Sequence, residues 1–156
     1  MEYTLRDHTA DVAVEATGAT LGDAFAAVAE GLTEAMCETH PASGERFTLE
    51  ERAEGREALL FDYLDRLIYE RDVRGVLPVD HDCTVTVEET NAEGETDAEG
   101  ETDAEGETDE EWVATASARG VPLSEVTARD VKAVTYSEMV LEERDGEWYA
   151  YVVFDV

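Results

Sequence analysis

VKAVTYSEMVLEE (residues 131–143), RDGE (144–147) and WYAYVVFD (148–155) decide the fold. Both long arms alternate apolar and polar residues, the period-2 pattern of half-buried strands. Between them, Asp145-Gly146 is the dipeptide of a tight two-residue hairpin turn, whose central positions need positive φ. The chain therefore finishes on an antiparallel hairpin whose last residues are Phe154-Asp155-Val156.

Outward from this hairpin the strand and helix periods recur. Tyr3–Leu5 and Val12–Ala16 read as short strands around the acidic stretch Asp7-His8-Thr9-Ala10-Asp11, with Gly18 closing the second. Thr20 then suits a helix N-cap, with Asp23 at the third helical position in a capping-box-like arrangement. Leu21, Ala24, Phe25, Val28, Leu32, Ala35 and Met36 follow at helical spacing, predicting one buried stripe as far as Cys37. Pro41 and Gly44 mark a loop, and Phe47 and Leu49 a third strand. A second helix runs from about Arg56 to Arg71. Leu60, Tyr63, Leu64, Leu67 and Ile68 make its inward face, while Asp62, Asp65, Arg66 and Glu70 face water. Gly75 and Pro78 end that region, and Cys83, Val85 and Val87 alternate as a strand. Trp112 to Ala118 forms another, broken by Gly120-Val121-Pro122. About seven strands and two substantial helices, joined largely by hairpins, predict an α+β fold: a mainly antiparallel β-sheet sandwich.

At 156 residues the chain reads as a single domain over 1–156. One segment stands apart: Ala92 to Asp109 is Ala-Glu-Gly-Glu-Thr-Asp written three times. It holds no apolar residue larger than alanine, so it cannot bury a core as a solenoid must. It also lacks the alternating Asp/Asn ligands and hydrophobic anchor of a calcium loop. The segment 91–110 is expected to be a disordered loop joining two strands, because closure entropy grows only logarithmically with loop length.

Forty acids against eleven bases leave a formal charge of −29, yet 43% of residues are hydrophobic and clearly periodic, which favours a folded domain over a disordered one. Ten of the bases are arginine and one, Lys132, is lysine. Abundant acid with lysine almost removed resembles proteins of salt-loving microbes and points to a halophilic source. At molar salt the Debye length falls to ~3 Å, screening such self-repulsion. Direct nucleic-acid binding is not expected of this surface, since phosphate contact needs clustered Lys and Arg. Cys37 and Cys83 lack CxxC spacing and read as reduced core residues. MEYTLRDHTA has neither a basic n-region nor an apolar h-region, and no run approaches a membrane span, so a soluble, cytoplasmic protein is expected.

Few residues could carry chemistry. Asp11 and Asp155 suit a hard cation, which takes carboxylate, carbonyl and water oxygens, and Val156 adds a backbone carbonyl. Among forty acids, solvated surface is the plain alternative for any two. Lys132 is either a chance survivor or a position that needs a compact ammonium, for which arginine's planar fork is no substitute. Beside carboxylates it would favour their ionised forms. His8 serves equally as a loop-bracing hydrogen-bond donor. Asp80-His81-Asp82 is a rival cluster, but it follows Pro78 in an expected turn and reads as surface. No GxSxG, HExxH or phosphate-cradling glycine loop is present.

Asp7-His8-Thr9-Ala10-Asp11, Val131-Lys132-Ala133-Val134-Thr135-Tyr136 and Phe154-Asp155-Val156 together resemble the archease family. Leu21 to Ala35 is similar to that family's first helix and Leu59 to Tyr69 to its second. The resemblance implies a non-enzymatic activator of the RtcB-type tRNA-splicing RNA ligase, promoting ligase guanylylation and multiple turnover and broadening nucleotide use. It further implies a divalent metal ion, calcium in crystals and magnesium or manganese as candidates in the cell, held by Asp11, Asp155 and the Val156 backbone. Lys132 matches the family's functional lysine. One departure is Ser137, where the family often has histidine, so no metal or proton role is carried over to that position. A stand-alone metal-dependent hydrolase or nucleotidyl-transfer enzyme is the competing class, and a chaperone-like binder a third.

Overall fold

The computed structural model describes residues 2–7, 11–90 and 109–156. His8 and most of the acidic repeat lie outside the described residues. Seven strands are seen: β1 (Glu2–Asp7), β2 (Asp11–Gly18), β3 (Glu45–Ala53), β4 (Val76–Thr90), β5 (Asp109–Pro122), β6 (Ala133–Arg144) and β7 (Glu147–Asp155). The two long helices are α1 (Leu21–Met36) and α2 (Arg56–Arg74). The strands form two antiparallel sheets, β1-β2-β7-β6 and β3-β5-β4. This is the α+β class expected, and the two helices fill the space between the sheets. α1 touches β1, β2 and β7 on one side and β4 on the other, while α2 touches β6 and all three strands of the smaller sheet.

Two glycines show how tightly α1 is clamped. A Cβ on Gly31 would come within 2.5 Å of the Val14 side chain on β2, and one on Gly22 within 2.4 Å of the Cys83 carbonyl on β4. The expected single stripe is therefore too narrow: Ala26, Ala27, Ala29 and Thr33 are buried as well. A helix buried on nearly all sides must be apolar and small all round, and the alanines do both jobs. Its start is as predicted, Thr20 Oγ1 accepting from the Asp23 N–H at 3.0 Å. Gly75, at φ 67, closes α2 in the left-handed region, so that the helix ends at Arg74, three residues beyond the boundary read from sequence. Arg56 at the N-terminus of α2 lies between Trp112 of β5 and Trp148 of β7, 5.6 and 5.1 Å from their ring centres, and so ties the two sheets together.

Several local expectations fail for reasons of packing. Gly120-Val121-Pro122 does not break β5, which pairs through it with Val76-Leu77-Pro78. Pro78 is tolerated because β4 is an edge strand. Glu70 does not face water: it is 5% exposed, held between Arg66 and Arg74. Cys37 is half-buried rather than core, while Cys83 is buried; both thiols are free. Asp80-His81-Asp82 is not a surface turn. It is a bulge inside β4, with Asp80 at φ 53 and His81 only 8% exposed. His81 Nε2 lies 2.7 Å from Thr33 Oγ1 on α1, and the His81 backbone N–H donates to Glu30. Among the described residues, no helix is long and apolar enough to cross a membrane.

Candidate functional site

The site lies where β2 begins, β7 ends and β6 is about to begin. In β2, Val12, Val14 and Ala16 face the helices; in β7, Phe154, Val152 and Ala150 pair opposite them and are buried with them. With a side-chain period of two, the residues just outside this apolar ladder are forced onto the other face. Those residues are Asp11 and Asp155, directly opposite each other in the register. Cross-strand partners place their Cβ atoms roughly 4.5–5.5 Å apart. On the other side of β7, Asp155 is paired with Ala133 of β6, and the Lys132 backbone N–H donates to the Asp155 carbonyl at 2.8 Å. The structure thus brings Asp11, Asp155 and Lys132 together across three adjacent strands, with Val156 half-buried at the end. Lys132 stands immediately before β6 rather than inside it, and its side chain is exposed.

Like charges directly opposite in a strand pair destabilise it. Among the described residues no cation pairs with Asp11 or Asp155, so the arrangement suits an ion or a partner group that supplies positive charge. A hard divalent ion takes six to eight oxygens when it is calcium. Two carboxylates and the Val156 carbonyl are chemically suitable but fill only part of that shell. Consistent with this, no three acidic, histidine or cysteine side chains converge among the described residues. Water or a partner's oxygens would complete the set. His8 lies outside the described residues.

A cleft of about 790 Å³ opens at the same end, between the last turn of α1 (Glu34), Glu38 just beyond it and Thr127–Arg129, with Val12 in its lining. Its rim is braced by the Arg129 N–H, which donates to the Met36 carbonyl at 2.6 Å. Glu34 is held by the Tyr3 hydroxyl, and that hydrogen bond, with burial, pushes the Tyr3 phenol up to about 12.

Sequence reasoning missed two features. His81 carries no warning beyond its neighbours, because a buried bulge looks like a polar turn in one dimension. In β6 the ladder steps from Thr135↔Val153 to Val140↔Tyr151, so Tyr136–Met139 stand outside regular pairing. The available signal was the broken alternation at Tyr136-Ser137-Glu138.

Comparison with known proteins bears on the same regions. The model of the archease protein family matches residues 3–156. A curated archease of Thermococcus kodakarensis is 33% identical, covering 96% of this chain and 95% of that one. An archease of Methanosarcina mazei is 30% identical over 99% of this chain and 96% of its own length. The solution structure of a Methanobacterium thermoautotrophicum protein superposes with TM-score 0.72 at 24% identity, covering 99% and 98% of the two chains. The crystal structure of a Thermotoga maritima archease, described as a possible chaperone, gives 0.58 at 19% identity over 97% and 94%. These two likenesses show the fold.

Proposed function

Because the chain belongs to the archease family, we propose that it activates an RtcB-type tRNA-splicing RNA ligase, promoting ligase guanylylation and multiple turnover, and is not itself an enzyme. The activating site is Asp11, Asp155 and Lys132, with a divalent ion held by Asp11, Asp155 and the Val156 carbonyl. The observation that carries this reading is the register: Asp11 opposite Asp155, and Lys132 tied to the Asp155 carbonyl from the far side. The description of the Thermotoga relative as a possible chaperone points the same way, toward a protein partner.

When bound, a divalent ion supplies charge neutralisation at phosphate oxygens and fixed geometry. The chain's own contribution is placement. Two paired strands and the residue leading into a third carry two carboxylates and an ammonium at one end of the molecule, beside a cleft that a partner segment can enter. The acidic skin belongs to a high-salt cytoplasm, where screening removes its cost.

Reconstitution with the cognate ligase and GTP tests the reading. Guanylylation should be stimulated by the wild-type protein and lose most of that stimulation in Asp11→Ala, Lys132→Ala and Asp155→Ala. Calcium should raise the melting temperature of the wild type and not of the two aspartate variants, as expected for an ion that binds only the folded state. Three variants that all stimulate like wild type would sink the site assignment. GTP or phosphoester turnover without any ligase would favour a stand-alone enzyme instead.

A further inference from the structure

β6 does something unusual within about 10 Å of the site. Ala133 pairs with Asp155, and Tyr136 follows three residues later at roughly 3.3 Å per residue. From there, Tyr136–Met139 leave the ladder opposite Val152 alone, and Glu138 takes φ 66, a conformation that side-chain-bearing residues rarely adopt. Bulges at sheet edges re-aim side chains, and β6 is an edge strand. At the head of this stretch, on the same helix-facing side as the buried Val134 two residues before it, stands Tyr136, 52% exposed in a protein with few exposed large apolar groups among its described residues. Its ring lies flat on Phe61 of α2, centroids 4.5 Å apart and planes within 3°. One face is thus fixed against the protein and the other is presented to solvent.

The surroundings of that ring are anionic. Glu57 stands one helical turn before Phe61 and Asp65 one turn after, on the same face of α2, with Asp62 adjacent. Burial raises the Tyr136 phenol, and the carboxylates of Asp62 and Glu57 raise it further, which places both in its field. No Arg or Lys forms an ion pair with Glu57, Asp62 or Asp65 among the described residues. The nearby cation Arg56 is engaged between Trp112 and Trp148.

We propose that Tyr136, backed by Phe61 and flanked by Glu57 and Asp62, is a docking receptor for an arginine side chain on the protein partner. A guanidinium stacks on an aromatic face while bonding carboxylates at its edge, and tyrosine–arginine contacts are frequent interface anchors. The proposal deepens the activator reading and rests on it for the partner's identity: the ligase docks with its metal-site contact and this anchor on the same end of the sheet. A nucleobase could also stack on the ring, but its phosphates would meet the carboxylates, so RNA is the disfavoured occupant.

Two measurements decide it. In the first, N-acetyl-arginine amide is titrated into the intact protein while the Tyr136 and Phe61 ring resonances are followed by NMR, with N-acetyl-glycine amide and oligouridylate as comparisons. Arginine should give saturable shifts that vanish in Tyr136→Ala and weaken in Asp62→Asn. Shifts no larger than with the glycine amide, or stronger binding of oligouridylate, overturn the proposal. In the second, ligase affinity is measured for wild type, Tyr136→Phe and Tyr136→Ala. Tyr136→Phe, which keeps the ring, should bind as wild type. Tyr136→Ala should bind about tenfold more weakly yet reach full guanylylation at saturation. Equal affinity for wild type and Tyr136→Ala overturns the anchor while leaving the activator reading intact. If the wild type does not bind ligase at all, the activator reading fails and the arginine titration alone decides the receptor.

Discussion

Acidification should destabilise this protein in part through His81, and that part can be isolated. The Thr33 hydroxyl sits 2.7 Å from the Pro78 carbonyl and 3.1 Å from the Ala29 carbonyl, and its single proton goes to one of them. Its oxygen is then the acceptor for His81 Nε2–H at 2.7 Å, which leaves the ring neutral with Nδ1 buried and unpartnered. A second proton on Nδ1 would charge a buried ring with no acceptor. Burial is the main cause that pushes the His81 pKa down to about 3, against a smaller opposing effect from the Pro78 carbonyl and Asp80. The unfolded chain takes up that proton near pH 6.5. The folded pKa is depressed, so the unfolded state binds more protons between the two values. Stability is then full above about pH 6.5 and is lost as pH falls toward 3. Between pH 7 and 5 the loss is about 2 kcal/mol, or roughly 4–8 °C in melting temperature for a chain of this size. Calorimetry on wild type and His81→Gln over that range checks it at constant high salt. The variant lacks the titrating ring but retains Glu30, Asp80 and every other carboxylate, so their contributions cancel in the difference. The wild-type melting temperature should fall the more steeply of the two. Parallel pH profiles would refute the buried neutral imidazole.

Gly22→Ala should destabilise despite gaining about 1 kcal/mol of helix propensity. The new Cβ would lie 2.4 Å from the Cys83 carbonyl oxygen and 3.0 Å from the Thr84 Cα, backbone that cannot step aside, and overpacking of this kind costs about 1–3 kcal/mol; chemical denaturation measures the balance. Replacing residues 91–108 by Asn-Gly between the paired Thr90 and Asp109 should leave a cooperatively folding protein, since about three halvings of loop length return roughly 2 kcal/mol of closure entropy. The gain should be larger at low salt, because eight acids go with the segment; loss of cooperative unfolding would show that the segment takes part in the core.

The relation between sequence and structure is clearest at three places. At the C-terminal hairpin, alternation and Asp145-Gly146 predict the turn found, with φ 53 and 83 at its centre and Arg144 paired to Glu147. At α1, periodicity locates the helix and Thr20 its start but understates its burial. Alanine and glycine are equally at home on either side of a helix, and only the presence of a second sheet decides that both sides are covered. At the candidate site, the motifs near both ends and the lone lysine single out Asp11, Lys132 and Asp155, while their adjacency comes from the register of β2 against β7 and β7 against β6.

By itself, the order of residues determined the class of fold, both helices, most strands and the family, because each of these rests on local periods, turn chemistry or short motifs. Tertiary structure alone decided that His81 is buried, that Glu70 lies between two arginines, that β5 continues through Gly120, and that Tyr136 stacks on Phe61. Each of those depends on what a distant segment places opposite the residue, and hydrogen-bond pairing and burial across tens of residues leave no period in the chain that could announce them.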